Sequence, residues 1–420
     1  MGDGRPTVLR TAVGGGRSPA SFAVRDGAEH DAEGTGVVRA QGASSLNILH
    51  IFRAPLGGLF RHVVDLARGQ ASRGHRVGLI VDSLTGGARA DAALAALAPE
   101  MALGVRRVAI SREISVSDVS ALRLTAPWIK TAAPDVVHGH GAKGAALARL
   151  ALSAPNAIRV YTPHGGSLVY RPGTLSGSFY RTLEWLLKWR TDLFLFESSY
   201  IAGLFRADIG YPPGIVRVVH NGVGEAEFAA VVARPDATDI VCLGELRPVK
   251  GFDVLIEALS ILKAEGRRVS ATIAGEGPDE GELKALAEQR GVADLVRFVG
   301  FRPAREAFSL GRMMVIPSRA ESLPYVILEA AAAGVPIVST RVGGVPEIFG
   351  PESEHLVAPD EVGALAGAIA RALDAPVELR RIAQSVKARV QAEFSLSAMI
   401  DGGLAAYREA IALRKLARFA

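Results

Sequence analysis

Two glutamates eight residues apart stand out, Glu321 and Glu329, in RAESLPYVILEAAAAGVPIVSTRVGGVPEI. The first falls in the turn after the apolar run MMVIPS, the second in the helical pattern that follows. A loop carboxylate and a helix carboxylate one or two turns on can converge on one ligand. Ionised carboxylates only accept hydrogen bonds, so the pair suits recognition of hydroxyls. Between them the helix start should present free N–H groups around Ser322 and Leu323, a ready anion site. Hydroxyl acceptors beside a phosphate cradle are what a nucleotide-sugar requires. Gly334, Pro336 and the Gly343–Gly344 turn complete the segment. The plainer alternative, a surface helix with scattered glutamates, does not account for that combination.

Upstream, GELRPVKG places Arg247 and Lys250 after another apolar run. Positions two apart share a face of an extended segment, so Glu245 could hold Arg247. IAGEGP carries Gly275 and Gly277, read mainly as turn glycines. VGFRP holds Phe301 and Arg302, with core packing as one reading of Phe301. In the first half, Gly57 and Gly58 follow a strand and open a helix, either as a tight turn or as a close approach to a ligand. Arg53 and Arg61 stand nearby as candidate acceptor-phosphate contacts. His138, His140 and His164 fall at strand ends. The His-x-His spacing invites a metal reading, but no further Cys/His cluster supports it, and one of the two is expected to be structural. Glu197, in FESSY, is the nearest candidate for a carboxylate nucleophile.

These residues need elements to carry them. Seven short apolar runs, at 46–52, 75–82, 105–110, 134–140, 157–162, 191–197 and 215–221, alternate with helical patterns such as 58–73, 119–132, 142–153 and 177–190. The runs are continuously apolar, as strands are when helices cover both faces of a parallel sheet. After a linker-like stretch at 229–239, a second series follows: TDIVCLGEL, VSATIAGEG, LVRFVGF, RMMVIPS, VPIVST and EHLV. The pattern predicts two doubly wound α/β domains, 46–230 and 238–395, facing a cleft at the carboxyl ends of their strands. Residues 1–45, rich in Gly, Arg, Asp and Ala, read as a disordered tail. Residues 396–420 read as a helix that closes the second domain or crosses back to the first, with Arg414, Lys415 and Arg418 complementing its C-terminal dipole or meeting an anionic membrane.

Composition narrows the function. The 48 Lys/Arg against 43 Asp/Glu leave a net charge of +5, too dilute over 420 residues to argue for nucleic acid. The single cysteine, Cys242, permits no internal disulfide and reads as a core thiol. No run of eighteen apolar residues suggests a spanning helix, and the start lacks a signal-peptide h-region. A cytoplasmic protein is expected, with a peripheral membrane contact as a sharper option. Trp185, Leu186 and Trp189 form a stripe that is usually core.

ESLPYVILE matches the E-x7-E signature of the retaining glycosyltransferase family 4, and LGELRPVKGFDVLIEAL, IAGEGPDE, GVPIVSTRVGGVPEI and HIFRAPLGG resemble that family's other segments. The resemblance spans roughly 46–416. It implies a GT-B fold, with an acceptor domain first and a nucleotide-sugar domain second. It implies a hexosyltransferase-type enzyme acting on a sugar or polyprenyl-linked acceptor in bacterial exopolysaccharide or envelope glycan synthesis, with no cofactor and no metal. On this resemblance Glu329 binds the donor ribose, Glu321 the donor sugar, Lys250 the diphosphate, and His164 the transferred sugar's hydroxyl, with the Gly275–Gly277 turn near the donor, Phe301 and Arg302 fringing its base, His138 and His140 lining the next loop and Gly57–Gly58 near the diphosphate and acceptor. Asn221 lies at the inter-domain turn. The family's usual Arg stands where this chain has Glu245, and Arg247 is expected to substitute. That departure leaves a catalytically inactive binding protein open. A sugar-nucleotide epimerase shares the fold but lacks this combination of motifs. No pyridoxal site marks a phosphorylase, and no G-x-G-x-x-G follows the first strand as a dehydrogenase requires.

Overall fold

A strand buried on both faces has no polar side to show, and the inner strands of both sheets are runs of that kind, whereas Gly104–Val108, Ile215–Val218 and Val296–Phe298 at the edges are partly exposed. The computed structural model describes residues 44–112, 116–165 and 175–419. The first sheet comprises β1 (Asn47–Phe52), β2 (Arg76–Asp82), β3 (Gly104–Val108), β4 (Val136–His140), β5 (Ile158–Thr162), β6 (Leu193–Phe196) and β7 (Ile215–Val218), in the order β3-β2-β1-β4-β5-β6-β7. The second comprises β8 (Thr238–Leu243), β9 (Ala271–Ala274), β10 (Val296–Phe298), β11 (Gly311–Ile316) and β12 (Ile337–Ser339), in the order β10-β9-β8-β11-β12. All pairings in both sheets are parallel. Each order reverses once, beside β1 and β4 in the first sheet and beside β8 and β11 in the second. Crevices at such reversals are where open α/β sheets bind ligands.

The run EHLV does not become a strand. It contributes a single bridge, Val357 to Thr340, because its first two residues, Glu354 and His355, end a 3₁₀ helix, Gly350–His355. The predicted tail, 1–45, lies almost wholly outside the described residues. Ser45–Ala420 forms one compact unit. Within it the last helix, Leu396–Phe419, leaves the second sheet and packs Met399, Ile400, Leu404 and Tyr407 on the first, against Leu46, Ile48, Leu66 and Val160. Arg414, read from sequence as a dipole complement or membrane cation, pairs instead with Asp192 at 3.0 Å and donates to the carbonyls of Ala157 and Pro155.

The aromatic stripe also departs from expectation. Glu184, Leu187 and Lys188 face inward, while Trp185, Leu186 and Trp189 are 50%, 55% and 66% exposed. Glu184 is drawn in by Arg149, with which it forms a wholly buried ion pair at 2.8 Å. That fixes the rotation of helix Leu175–Leu187 and turns its apolar stripe outward. No helix among the described residues is long and apolar enough to cross a membrane.

Candidate active site

The loop after β8 is tied down before it meets any ligand. A Cβ on Gly275 would lie 1.8 Å from the Gly244 carbonyl oxygen, and one on Gly277 would lie 2.3 Å from that of Leu246. Only glycine lets these two turns lie against each other. The structure thus gives Gly275 and Gly277 a packing task, holding the 244–250 loop in place. Gly251, at φ +68°, passes over the Pro317 carbonyl and opens helix Phe252–Ala264. Arg319 completes the fixture with a forked bond to Asp253 (2.8 and 2.6 Å) and a contact to Asp360. Sequence reasoning passed over Arg319; its place one residue past the β11 end loop was the only signal.

This framework brings Lys250 to Glu321. Lys250 Nζ donates to Glu321 Oε1 at 2.6 Å, and Ser318 Oγ donates to the same oxygen at 2.7 Å. The Glu321 side chain is only 9% exposed. The turn around it is held by the glycine pair: Gly343, at φ +57°, has its Cβ position 1.8 Å from the Glu321 carbonyl oxygen, and the Gly344 N–H donates to the Ser322 carbonyl at 2.6 Å. The helix that follows is Tyr325–Ala332. Ser322 and Leu323 therefore belong to the turn leading into it and not to its first turn, contrary to the sequence expectation. Pro324 is the reason, since it drives the preceding residue towards an extended conformation. Ser322 Oγ donates to Glu197, and the buried Leu323 offers its carbonyl to Asn221 Nδ2 at 2.8 Å.

Arg247 bonds Glu245 at 2.7 Å, with both side chains about half exposed. Phe301 is 42% exposed and is not core; the guanidinium of Arg89 lies 3.8 Å from its ring centroid. Arg302 donates to the Phe301 carbonyl and approaches Glu306. Glu329 is partnered from the other side of the cleft. Arg61, on helix Gly57–Ser72, donates one guanidinium nitrogen to Glu329 Oε1 and another to Glu227, and lies 4.8 Å from the Tyr325 ring centroid. Arg61 is thus spent on carboxylates and is not a free phosphate contact. Gly57 (φ +62°) and Gly58 begin that helix, and a Cβ on Gly58 would touch Tyr325 at 3.4 Å.

The first sheet's reversal point gathers histidines. His50 on β1, His138 and His140 on β4, and His62 on the helix after β1 are buried, and His164 in the turn after β5 is half-buried beside them. His164 is one of three non-glycine residues with positive φ, at +51°, among those described. Such strain concentrates at functional turns. Burial pushes His50 and His62 down to about 4 and holds His138, His140 and His164 well below the usual imidazole range. Two overlapping triads, His50–His138–His140 and His62–His140–His164, have the spacing of metal ligands. Both nitrogens of His50, His138 and His140 already bond to a neighbour, however, as does Nδ1 of His62, which meets Asn221 at 2.9 Å. Glu197, at the end of β6, is 1% exposed, and burial pushes its carboxyl up against the opposing pull of Ser322 and of the His164 and Gly165 N–H groups. Among the described residues its Oε2 has no hydrogen-bond partner. His50, His62, Glu197 and Glu227 thus join the candidate residues without having been chosen together from sequence; contacts across 90 or more positions leave no local signal.

Comparison with known proteins follows this geometry. Residues 56–227 match Glycosyltransferase Family 4, and residues 224–389 match Glycosyl transferases group 1. The chain is 29% identical to a glycogen synthase of Mycobacterium tuberculosis, over 81% of this chain and 88% of that one. It is 28% identical to the amylovoran biosynthesis glycosyltransferase AmsK of Erwinia amylovora, over 44% of this chain and 49% of that one. Among solved structures, sucrose-phosphate synthase from Thermosynechococcus elongatus superposes with a TM-score of 0.73 at 19% identity, covering 87% of this chain and 99% of that one. Anabaena HepE in complex with UDP and glucose gives 0.70 at 20% identity, covering 85% and 97%. The fold is that of the GT-B glycosyltransferases.

Proposed function

We propose, for a chain that belongs to glycosyltransferase family 4, that it transfers a hexose with retention from a nucleoside diphosphate sugar to a sugar or polyprenyl-linked acceptor in bacterial polysaccharide assembly. The observation that carries the reading is the convergence of Lys250, Glu321 and the 321–324 turn at one sheet's reversal point, joined through Ser322 and Glu197 to the His164 turn at the other's. HepE was solved with UDP and glucose, which favours a uridine nucleotide as the first donor to try.

In this reading the second domain holds the donor. Glu329 accepts from the ribose hydroxyls and Glu321 from a sugar hydroxyl. Lys250 faces the diphosphate, with Arg247 beside it once Glu245 releases it. These cations stabilise negative charge as the sugar–phosphate bond breaks, which acts only on the transition state and so raises the rate. The β-phosphate oxygen takes the acceptor's proton while the acceptor oxygen attacks the same face of the anomeric carbon. His164 accepts from a hydroxyl of the transferred sugar; its lowered proton affinity keeps it neutral and suits it to that role and not to acid catalysis. No metal enters this scheme, because lysine, arginine and turn N–H groups supply the positive charge. Glu197, buried and bonded to Ser322, supports the His164 turn in this reading and is given no nucleophilic role. The exposed face of Phe179, Trp185, Leu186 and Trp189, with the exposed Arg190 at its end, suits peripheral contact at the cytoplasmic membrane face, where a polyprenyl acceptor resides.

A thermal-shift panel of nucleoside diphosphates and their sugars tests the donor site, with wild type beside Glu329→Ala. A ligand that binds only the folded form raises its stability. One nucleotide should shift wild type, and the variant should lose that shift. A folded wild type that responds to none overturns the reading.

A further inference from the structure

A single line of hydrogen bonds runs from a buried amide to the histidine of the 162–165 turn. Gln70 Oε1 meets His50 Nε2 at 2.8 Å, His50 Nδ1 meets His140 Nε2 at 2.9 Å, and His140 Nδ1 meets His164 Nε2 at 3.1 Å. Gln70, His50 and His140 are all 1% exposed or less. We propose that Gln70, His50 and His140 are positioning residues that fix the tautomer and ring plane of His164, and so determine that it meets the transferred sugar as a hydrogen-bond acceptor.

The inference rests on the reading above that His164 touches the sugar. A neutral imidazole has one N–H and one lone pair. Each bond in the line uses one of each, so the tautomers are coupled. The Gln70 oxygen can only accept, so His50 carries its proton on Nε2. Its Nδ1 then accepts from His140 Nε2–H, and His140 Nδ1 accepts from His164 Nε2–H. His164 is left with a bare lone pair on Nδ1, which meets no donor among the described residues. Turning the Gln70 amide over would reverse all three bonds and make Nδ1 a donor. The amide is held by its Nε2–H, which points to Tyr407 Oη at 3.5 Å, and that oxygen lies 2.7 Å from His138 Nδ1. The returning C-terminal helix therefore sets the far end of the line. A cation in the His50–His138–His140 triad would have to displace Tyr407 or Thr162 from a His138 nitrogen, and one in the His62–His140–His164 triad would have to break the His140–His164 bond of the line.

The test uses the full chain with ¹⁵N-labelled histidine at neutral pH, the His164 signals being assigned by their loss in His164→Gln. Wild type should show His164 Nε2 as pyrrole-like and Nδ1 as pyridine-like. Gln70→Met should mix the two forms and lower kcat/KM for the donor by about tenfold to a hundredfold, with nucleoside diphosphate binding unchanged. Tyr407→Phe, which leaves the line itself intact, should give the same change in milder form and serves if Gln70→Met does not fold. An unaltered His164 spectrum in a folded Gln70→Met protein overturns the proposal, as does a stoichiometric transition metal retained through purification. A mixed tautomer with full activity in both Gln70→Met and His164→Ala overturns the sugar contact instead, and the two failures are thereby separated.

Discussion

Substituting Gly343 by alanine tests whether the 321–324 turn is the donor site, because the damage can be worked out beforehand. The new Cβ would lie 1.8 Å from the Glu321 carbonyl oxygen and 2.6 Å from its carbon. Both atoms are backbone, so no side chain can swing aside. Restoring even a 3.0 Å contact moves the turn by about 1.2 Å. The φ of +57° adds the left-handed penalty of a Cβ, about 1–2 kcal/mol. A 1 Å displacement of reacting groups costs about a hundredfold in rate, equivalent to about 2.7 kcal/mol of activation free energy. Gly334→Ala is the matched control. Its φ is +75°, so it carries the same dihedral strain, but its nearest neighbour is the Lys387 side chain at 3.8 Å. Urea unfolding should show both variants destabilised by about 1–2 kcal/mol or somewhat more, while transfer assays show only Gly343→Ala falling by about a hundredfold. Full activity in Gly343→Ala, or equal activity loss in both variants, would refute the reasoning.

Lys250→Ala should lower kcat by about a hundredfold to a thousandfold, the usual cost of removing one group that stabilises transition-state charge. It also leaves the nearly buried Glu321 without its cation, so adding Glu321→Gln should recover stability in a melting experiment but not activity. Stability should fall as pH drops from about 6.5 towards 4. His50 and His62 stay neutral in the fold down to about 4, whereas the unfolded chain takes up protons near 6.5, giving a slope of about 1.4 kcal/mol per pH unit for each. His138, His140 and His164 act in the same direction, and Glu197, whose carboxyl burial pushes up, offsets part of the loss. Urea midpoints measured across that range should show the decline, and a flat profile would contradict the buried neutral cluster. Cys242, wholly buried with its thiol donating to the Val315 carbonyl at 2.8 Å and its proton affinity pushed up by burial, should resist thiol reagents until the protein unfolds. Rapid labelling of the native protein would contradict that placement.

The strands were legible because burial on both faces writes itself locally as a continuous apolar run. EHLV failed for the same reason in reverse: its first two residues belong to the 3₁₀ helix Gly350–His355, and the two that remain are too little chain to extend. The helix start was read too early, around Ser322 and Leu323, because the glutamate spacing was weighed and the effect of Pro324 on the residue before it was not. What the sequence does not encode locally is which strand lies beside which. His50 and His140 are 90 positions apart and meet only because β1 pairs with β4. The outward turn of Trp185 and Trp189 is likewise decided elsewhere, by the buried Arg149–Glu184 pair.

Glu329 shows how far a motif reading reaches and where geometry must take over. The motif assigns it to ribose hydroxyls, yet in this structure Arg61 holds its Oε1 and ties the same guanidinium to Glu227. The two statements are compatible because a carboxylate has two oxygens, each able to accept more than one bond. Oε2 has no partner among the described residues, and the side chain is 18% exposed. A ribose hydroxyl can therefore bind without breaking the ion pair, and Arg61 then orients the carboxylate instead of competing for it. Arg61→Met should accordingly weaken nucleotide binding although the arginine touches no nucleotide, whereas competition would make the same variant bind more tightly. The direction of the change in Kd decides between the two.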